Sequence, residues 1–238
     1  MYIYTLISVN LKNNNMNDYK FVIATPYTPQ EFQEKSAIAI FLDKMDIKAA
    51  VVYENKEPLT TVYNRFISEE TRGSKIIFVH DDVLIEDLFF FDKLNLAFEK
   101  FDIVGLAGAK SCNVAADHPA WHLMAPREDL VGEVAHSRGG ANWTTVFGKT
   151  PNRVLIMDGL FIAVDVAKLL DTNTKFDEDF AFHHYDITFC LNANKNKLKM
   201  GVYPIRVVHF GLGDSMNTPE WHESAVKFKE KYGTTENG

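Results

Sequence analysis

The chain has 238 residues, of which 46% are hydrophobic, so it can bury a substantial core and is not a disordered protein. Its formal net charge of −7 argues against nonspecific nucleic-acid binding as its main task. No apolar run approaches the roughly 18 residues of a membrane span. Cys112 and Cys190 lack metal-ligand spacing and are expected to be free thiols of a cytoplasmic protein, a single disulfide being the alternative.

The first 18 residues are expected to form an extension that precedes the folded domain. Met1–Val9 is apolar but short, and no cationic residue precedes it, so it is not interpreted as a signal peptide. An extra edge strand is the other interpretation of this stretch. Because no repeat, linker or low-complexity block follows, residues 19–238 are predicted to form a single domain.

Apolar runs alternate with helical patterns in the first part of this domain. Such strands separated by helices predict parallel, right-handed βαβ units and an α/β fold. The Phe89–Phe91 run is expected to lie in the core. The predicted elements are strands at 21–24, 49–53, 76–79 and 103–107, and helices at 29–42, 58–68 and 86–99.

The pattern is lost between residues 110 and 152, and irregular segments of this length are often functional. Gly139-Gly140 is a turn signal between short strands predicted at 131–135 and 143–147. The aromatic residues of this segment either line a sugar site, because aromatic faces stack on sugar rings, or are ordinary packing. They are His118, Trp121, His122 and Trp143.

Regular patterns return after residue 152. The predicted strands are 154–157, 160–164 and 202–210, and the predicted helices follow Asp165, begin near Asp186 and cover 219–232.

Polar side chains collect at the ends of these elements. In open α/β sheets, ligands bind outside the carboxyl ends of the strands. A buried carboxylate without a partner is costly, and its natural partner here is a divalent cation with the phosphates that it carries. The polar clusters are His80-Asp81-Asp82 after the strand 76–79, Asp158, His184-Tyr185-Asp186, and His209.

These residues also have structural interpretations. Asp81 and Asp82 would cap a helix near Glu86, Asp186 would cap its own helix, and a backbone carbonyl would satisfy His209. Neither a dinucleotide fingerprint nor a Walker-type loop is present in the sequence, because Thr25-Pro26-Tyr27 follows the first strand. Any phosphates would therefore be held by a cation.

Taken in order, these motifs resemble the GT-A glycosyltransferases, specifically the family 2-like group that uses nucleotide sugars. His80-Asp81-Asp82 looks like the Asp-x-Asp motif in the form with histidine in the first place, which occurs in a bacterial and viral subgroup. The resemblance covers about residues 19–213. It is also carried by Tyr63-Asn64, Asp158-Gly159-Leu160-Phe161, Phe176-Asp177-Glu178 and Tyr185-Asp186.

The resemblance implies a GT-A type Rossmann-like α/β/α sandwich with a mostly parallel central sheet. A nucleotide-binding half, about 19–108, would precede an acceptor half, about 109–238. The implied reaction moves a sugar, with inversion, from a nucleoside-diphosphate sugar to an acceptor hydroxyl. A UDP-sugar is the expected donor.

The resemblance also implies roles for single residues. Asp186 would be the general base, and Asp82 and His209 would ligate Mn²⁺ or Mg²⁺, with the oxygen and imidazole pair suiting Mn²⁺ better. Asp158 would hold donor or acceptor hydroxyls, and Glu54 would contact the nucleoside. Thr25 and Pro26 would lie against the base, and His80 and Asp81 would complete the nucleotide site.

Two other functions stay open. A sugar nucleotidyltransferase shares the βαβ start but normally needs a glycine-rich, basic loop, which Ala24-Thr25-Pro26-Tyr27 does not offer. A catalytically degenerate sugar- or nucleotide-binding module is the second, because His80 replaces an acid of the motif.

Overall fold

The computed structural model describes residues 18–211, 216 and 218–233. The edge strand considered for Met1–Val9 therefore lies outside the described residues. Within them, no helix is long and apolar enough to cross a membrane.

The helices of this part of the chain follow the predicted order. They are α1 (Pro29–Lys35), α2 (Ala37–Lys44), α3 (Leu59–Arg65), α4 (Phe90–Phe98), α5 (Val166–Asp171), α6 (Tyr185–Lys195) and α7 (Pro219–Tyr232).

The strands are more numerous than predicted. They are β1 (Tyr19–Ala24), β2 (Ala50–Val52), β3 (Lys75–Val79), β4 (Val83–Ile85), β5 (Ile103–Gly105), β6 (Ala107–Ala109), β7 (Leu130–Arg138), β8 (Ala141–Gly148), β9 (Asn152–Arg153), β10 (Ile156–Met157), β11 (Phe161–Asp165), β12 (Met200–Val202) and β13 (Val207–His209).

The central sheet has the order β2-β1-β3-β11-β5-β12-β9. β1 runs parallel to β2 and β3, and β5 runs parallel to β12. β11 runs antiparallel between β3 and β5, and β9 runs antiparallel to β12. The sheet is thus mostly parallel in strand direction, as predicted, and Ile76–Val79 of β3 is fully buried at its centre.

A second sheet was not predicted. Its order is β10-β6-β7-β13-β4, with β8 paired to β7. The single strands predicted at 103–107 and 202–210 are wrong, because each apolar run is divided between the two sheets, as β5 with β6 and as β12 with β13. An apolar run records burial but not which sheet covers it. The predicted β7–β8 hairpin and its glycine turn are confirmed.

The helix predicted over 29–42 is interrupted at Ser36, which has extended backbone angles (φ −80°, ψ 129°). The Ser36 hydroxyl and the Ala37 amide both donate to the backbone carbonyl of Asp81, at 2.7 and 2.8 Å. The interruption therefore fixes the start of α2 against the chain that leaves β3.

The Phe89–Phe91 run lies only partly in the core. Phe90 is 2% exposed, but Phe89 precedes the first residue of α4 and is 63% exposed. The core prediction for Phe89 is wrong because the helix begins later than its apolar composition suggests.

Candidate functional site

Asp82 and His209 meet where the two sheets adjoin. The Phe210 amide donates to the Asp82 carbonyl at 2.9 Å, and His209 pairs in register with Val83 of β4. These contacts place Asp82 Oδ2 3.3 Å from His209 Nε2. The two residues predicted to ligate the metal, 127 positions apart in the sequence, are thus neighbours.

The surroundings of this pair fit a cation. Asp82 Oδ1 is buried and has no hydrogen-bond partner among the residues that the structure describes. A Cβ atom on Gly211 would lie 2.7 Å from Asp82 Oδ2 and closer still to His209 Nε2, so glycine keeps space open beside both ligands. Carboxylate oxygen with imidazole nitrogen is a donor set that suits Mn²⁺.

The described residues contribute few ligands to such a site. Among the described residues, no group of three or more His, Cys, Asp or Glu side chains could hold a metal ion. A cation here would take its other ligands from water and from substrate phosphates, as Mg²⁺ commonly does.

Each member of the pair favours the charged form of the other. Burial alone would raise the pKa of Asp82, but the hydrogen bond from His209 and the charges of His80 and His209 lower it. Burial alone would lower the pKa of His209, but the hydrogen bond and charge of Asp82 raise it. The hydrogen bond and the opposite charges therefore favour carboxylate for Asp82 and imidazolium for His209.

Asp81 faces the end of β1. The Thr25 hydroxyl donates to Asp81 Oδ2, and burial raises the pKa of Asp81. The alternative in which Asp81 and Asp82 cap a helix near Glu86 is wrong, because the strand β4 follows them.

His80 is oriented by a phenol. The Tyr185 hydroxyl donates to the Gly159 carbonyl at 2.8 Å and lies 2.9 Å from His80 Nε2. Since the phenol proton is used on the carbonyl, His80 Nε2 must donate to the Tyr185 oxygen. Burial lowers the pKa of His80, so its Nδ1 atom presents a lone pair.

Asp158 and Asp186 flank the backbone of Gly159. Asp158 Oδ2 accepts from Trp121 Nε1 at 2.7 Å, and Oδ1 accepts from the Leu160 amide at 2.9 Å. Asp186 Oδ2 accepts from the Gly159 amide at 2.9 Å. A Cβ atom on Gly159 would collide with Tyr185 and Asp186, so this close approach requires glycine.

Asp186 is not the N-cap residue of its helix. α6 begins at Tyr185, and its N-cap is His184, which has a left-handed backbone (φ 62°). Asp186 Oδ1 accepts from the Ile187 amide at 2.8 Å. Burial, and next the charge of Asp158, raise the pKa of Asp186 to about 7, which is high enough for a carboxylate to act as a base near neutral pH.

A cleft of about 350 Å³ lies at the ends of β1 and β2. Thr25 and Pro26, the residues expected to lie against a nucleobase, line it. Glu54 is exposed next to the cleft with a left-handed backbone (φ 48°) and is not among the lining residues. The lining is completed by Ala24, Asn55, Lys56, Glu57, Pro58, Leu59, Ala181 and Phe182.

Phe182 links this cleft to the motif at the end of β3. Its ring is 52% exposed and stacks on His80, with ring centroids 6.2 Å apart. The Leu59 amide donates to the Ala181 carbonyl at 2.7 Å, which fixes the Phe182 loop against α3. The cleft and the Asp82–His209 pair therefore belong to one continuous region.

The aromatic residues of the irregular segment have different environments. Trp121 is buried, holds Asp158 and packs on Phe147 at 4.8 Å. His122 packs on Trp121, and His118 is exposed. Trp143 is 47% exposed and stacks on His136.

The hydrogen-bond and packing partners of the predicted site residues are not predicted from the sequence. Trp121 was noted as a sugar-site candidate, but its bond to Asp158 joins residues 37 positions apart and leaves no local signal. Tyr185 and Gly159 are motif positions in the sequence. The hydrogen bond between Tyr185 and His80, and the one from the Gly159 amide to Asp186, are not predicted from it. Phe182 is the one for which a signal existed, because it directly precedes the His183-His184-Tyr185-Asp186 cluster.

We expect Trp121→Phe to lower the steady-state rate of the reaction at this site by about 10–100-fold. The reason is that a hydrogen bond to a charged group is worth about 1.5–3 kcal/mol. Phenylalanine fills much of the same space but cannot donate to Asp158. Phe147→Leu is the matched control, since it loses the ring contact and keeps the indole donor. Steady-state rates and melting temperatures of both variants test this, and equal losses in the two variants would contradict a role for the indole N–H.

The chain resembles known proteins in sequence and in fold. Residues 39–237 match the family described as "Glycosyltransferase like family". The crystal structure of A197 from STIV has a TM-score of 0.50 and 14% identity, and the match covers 81% of this chain and 85% of that chain. The crystal structure of GalNAc-T7 with UDP, GalNAc and Mn²⁺ has a TM-score of 0.51 and 10% identity. That match covers 89% of this chain and 47% of the other, so this chain spans about half of that protein's length. Curated protein sequences yield no match.

Proposed function

The chain belongs to the glycosyltransferase-like family, and on that premise we propose that it transfers a sugar from a nucleoside-diphosphate sugar to an acceptor hydroxyl. The observation that carries this proposal is the Asp82–His209 pair at the carboxyl end of β3 beside an open cleft, with an Asp82 oxygen that has no partner within the described part of the chain. UDP is the proposed nucleotide. In support, the structural neighbour GalNAc-T7 is described with UDP, GalNAc and Mn²⁺.

The nucleoside is proposed to lie in the cleft at the ends of β1 and β2. Thr25 and Pro26 form one side, and Phe182 offers a half-exposed ring on the other. His80, which stacks on Phe182, and Asp81, which accepts from Thr25, are proposed to complete the nucleotide site between the nucleoside and the diphosphate. Glu54 is proposed to reach the nucleoside from the rim.

Asp82 and His209 are proposed to hold a Mn²⁺ or Mg²⁺ ion. When bound, such an ion supplies Lewis-acid neutralisation of the leaving diphosphate. His209 can act as a ligand only when its ring is neutral, so acid is expected to weaken binding of the metal.

Asp186 is proposed to act as the general base of an inverting single displacement. The acceptor oxygen attacks the anomeric carbon, its proton passes to Asp186, and the bond from that carbon to the diphosphate oxygen breaks. Burial and the charge of Asp158 support this role, because both raise the proton affinity of Asp186. Asp158, held by Trp121 and Leu160, is proposed to orient sugar hydroxyls.

The test is a thermal-shift and calorimetric comparison of UDP, GDP, CMP and dTDP, each with and without Mn²⁺. Specific binding stabilises the folded state by about 2.7 kcal/mol at a ligand concentration 100 times the dissociation constant, so the correct nucleotide should stand out. Nucleotide-sugar turnover then separates the alternatives. Pyrophosphate release from a nucleoside triphosphate and a sugar phosphate would indicate a nucleotidyltransferase, and binding without turnover would indicate a degenerate module.

A further inference from the structure

A row of three aromatic rings crosses the second sheet. His209 on β13 pairs in register with His136 on β7, and His136 pairs with Trp143 on β8. Side chains directly opposite each other in neighbouring strands share a face of the sheet. The ring centroids are 5.7 Å apart for His209 and His136, and 5.1 Å apart for His136 and Trp143. Trp143 therefore lies on the same face as the Asp82–His209 pair, about two strand spacings, or roughly 10 Å, from it.

β8 also extends toward Asp158. Side chains alternate along a strand, so Thr145 shares the face that carries Trp143, and an irregularity in the pairing with Gly132 and Glu133 follows at Val146–Gly148. Phe147 packs against Trp121, whose indole nitrogen donates to Asp158. Four residues of strand span about 14 Å. β8 thus runs from Trp143, in the ring row that includes the proposed metal ligand His209, to Phe147, which packs on the tryptophan that holds the proposed sugar-binding carboxylate.

Trp143 is positioned and still accessible. Its indole stacks on His136 with an interplanar angle of 17°, and 47% of the residue is exposed. A rigid aromatic ring of this kind offers a large contact area with little loss of conformational freedom on binding.

The chemistry of the strand favours a neutral, hydroxylated ligand. β8 has the sequence ANWTTVFG, which contains no charged residue, and Thr145 lies between Trp143 and Phe147 along the strand. A sugar ring combines an apolar C–H face with a rim of hydroxyls, which matches a flat indole beside a hydroxyl. A lipid chain would need a continuous apolar surface, and a charged peptide would need opposite charges.

We propose that the face of β8 bearing Trp143 is the acceptor subsite, and that the acceptor is a saccharide whose ring stacks on Trp143. This inference rests on the proposed function, because the subsite is defined relative to the donor site.

The edge of β8 does not favour strand pairing with another chain near this site. Arg127 already donates to the carbonyls of Val146, at 2.6 Å, and of Phe147.

The three tryptophans of the sequence allow a site-resolved test. In ¹⁵N-labelled protein with UDP and Mg²⁺, the indole N–H resonances report on Trp121, Trp143 and Trp221 separately, with Trp143→Phe providing the assignment. The probes are the methyl glycosides of glucose, galactose and N-acetylglucosamine, and a blocked serine peptide as the non-saccharide acceptor. Val146→Ala is the matched control, because Val146 is exposed on the opposite face of the same strand.

We expect at least one glycoside to shift the Trp143 resonance saturably while the Trp221 resonance stays unchanged. Trp143→Ala should weaken that binding about tenfold, since loss of an aromatic contact is worth up to about a factor of ten. Val146→Ala should retain it, and UDP affinity should change less than twofold in both variants.

Four results would overturn the acceptor subsite. They are normal UDP binding with no shift of Trp143 by any glycoside, unchanged glycoside affinity in Trp143→Ala, a shift caused by the serine peptide alone, and a change of molecular mass by light scattering in Trp143→Ala. The last would make Trp143 part of an interface between copies of the chain. Failure of UDP itself to bind would instead overturn the proposed function, and the subsite with it.

Discussion

Replacing Asp186 with asparagine should reduce sugar transfer by about 10²–10⁴-fold, the range commonly lost with a general base. Asparagine has nearly the same shape but cannot accept the acceptor's proton. Asp186 is suited to this role because burial and the charge of Asp158 raise its pKa to about 7. The Asp82–His209 pair lies elsewhere in the site, so binding of UDP with Mn²⁺ should be retained.

Turnover and donor binding must be measured separately to test this. A base acts in the chemical step, so kcat should fall far more than UDP affinity. In the wild type, kcat should rise with pH through about 7, because the base must be deprotonated, and the residual activity of Asp186→Asn should lack this dependence. Asp165→Asn is the matched control. Asp165 caps α5 by accepting backbone amides and lies at the far end of β11 from Gly159.

The same pKa predicts how the difference in stability between this variant and the wild type depends on pH. In the unfolded chain the carboxyl of Asp186 has a pKa near 3.9. Because its pKa is raised in the folded state, its contribution to stability is fully present below about pH 4 and is lost as pH rises through about 7. Asparagine cannot lose a proton, so the free energy of unfolding of Asp186→Asn should increase relative to wild type across this window.

A constant penalty opposes this gain. The two carboxylate oxygens accept from the Gly159 and Ile187 amides, so the amide nitrogen of asparagine must face one of these donors. Urea unfolding at pH 4, 6 and 8 separates the two effects, because only the charge effect varies with pH. Transfer within a few-fold of wild type would show that Asp186 is not the base, and Asp158 would then be the next candidate.

The site at the end of β3 was predictable because it depends on local pattern. Four consecutive apolar residues, Ile76–Val79, predict a strand buried on both faces, as the structure shows, and the three polar residues that follow it predict a ligand site at its carboxyl end. The N-terminal caps at Thr28 and Asp165 are local as well, because each side chain accepts from a backbone amide within three positions of it. In these cases the residues that decide the structure lie within a few positions of one another.

The second sheet was not predictable because its pairings are long-range. His209 lies next to Asp82 because β13 pairs with β4. No residue near Val207–His209 in the sequence specifies β4 as the neighbouring strand. The interruption at Ser36 is similar, because its hydrogen-bond partner is the carbonyl of Asp81, 45 positions later. Periodicity reports which face of an element is buried, and the partner across that face is set by the whole fold.

Asp82→Asn is expected to abolish Mn²⁺-dependent UDP binding while the fold is retained. Its carboxylate has one oxygen 3.3 Å from His209 Nε2 and one buried oxygen with no partner in residues 18–211, 216 and 218–233. A neutral amide supplies a weaker oxygen ligand and no charge to offset the cation. We therefore expect calorimetry to find no difference in UDP affinity with and without Mn²⁺ in this variant.

A control variant and a variant of the second proposed ligand test this prediction further. Glu86→Gln removes an exposed carboxylate that pairs with Arg206 near the end of β4, and it should leave Mn²⁺-dependent binding unchanged. His209→Ala should weaken metal binding as well. If both residues hold one ion, the losses in Asp82→Asn and His209→Ala should not add in the double variant, because groups in contact couple. Additive losses, or full Mn²⁺-dependent affinity in Asp82→Asn, would show that the pair stabilises the junction of the two sheets and that the cation binds elsewhere.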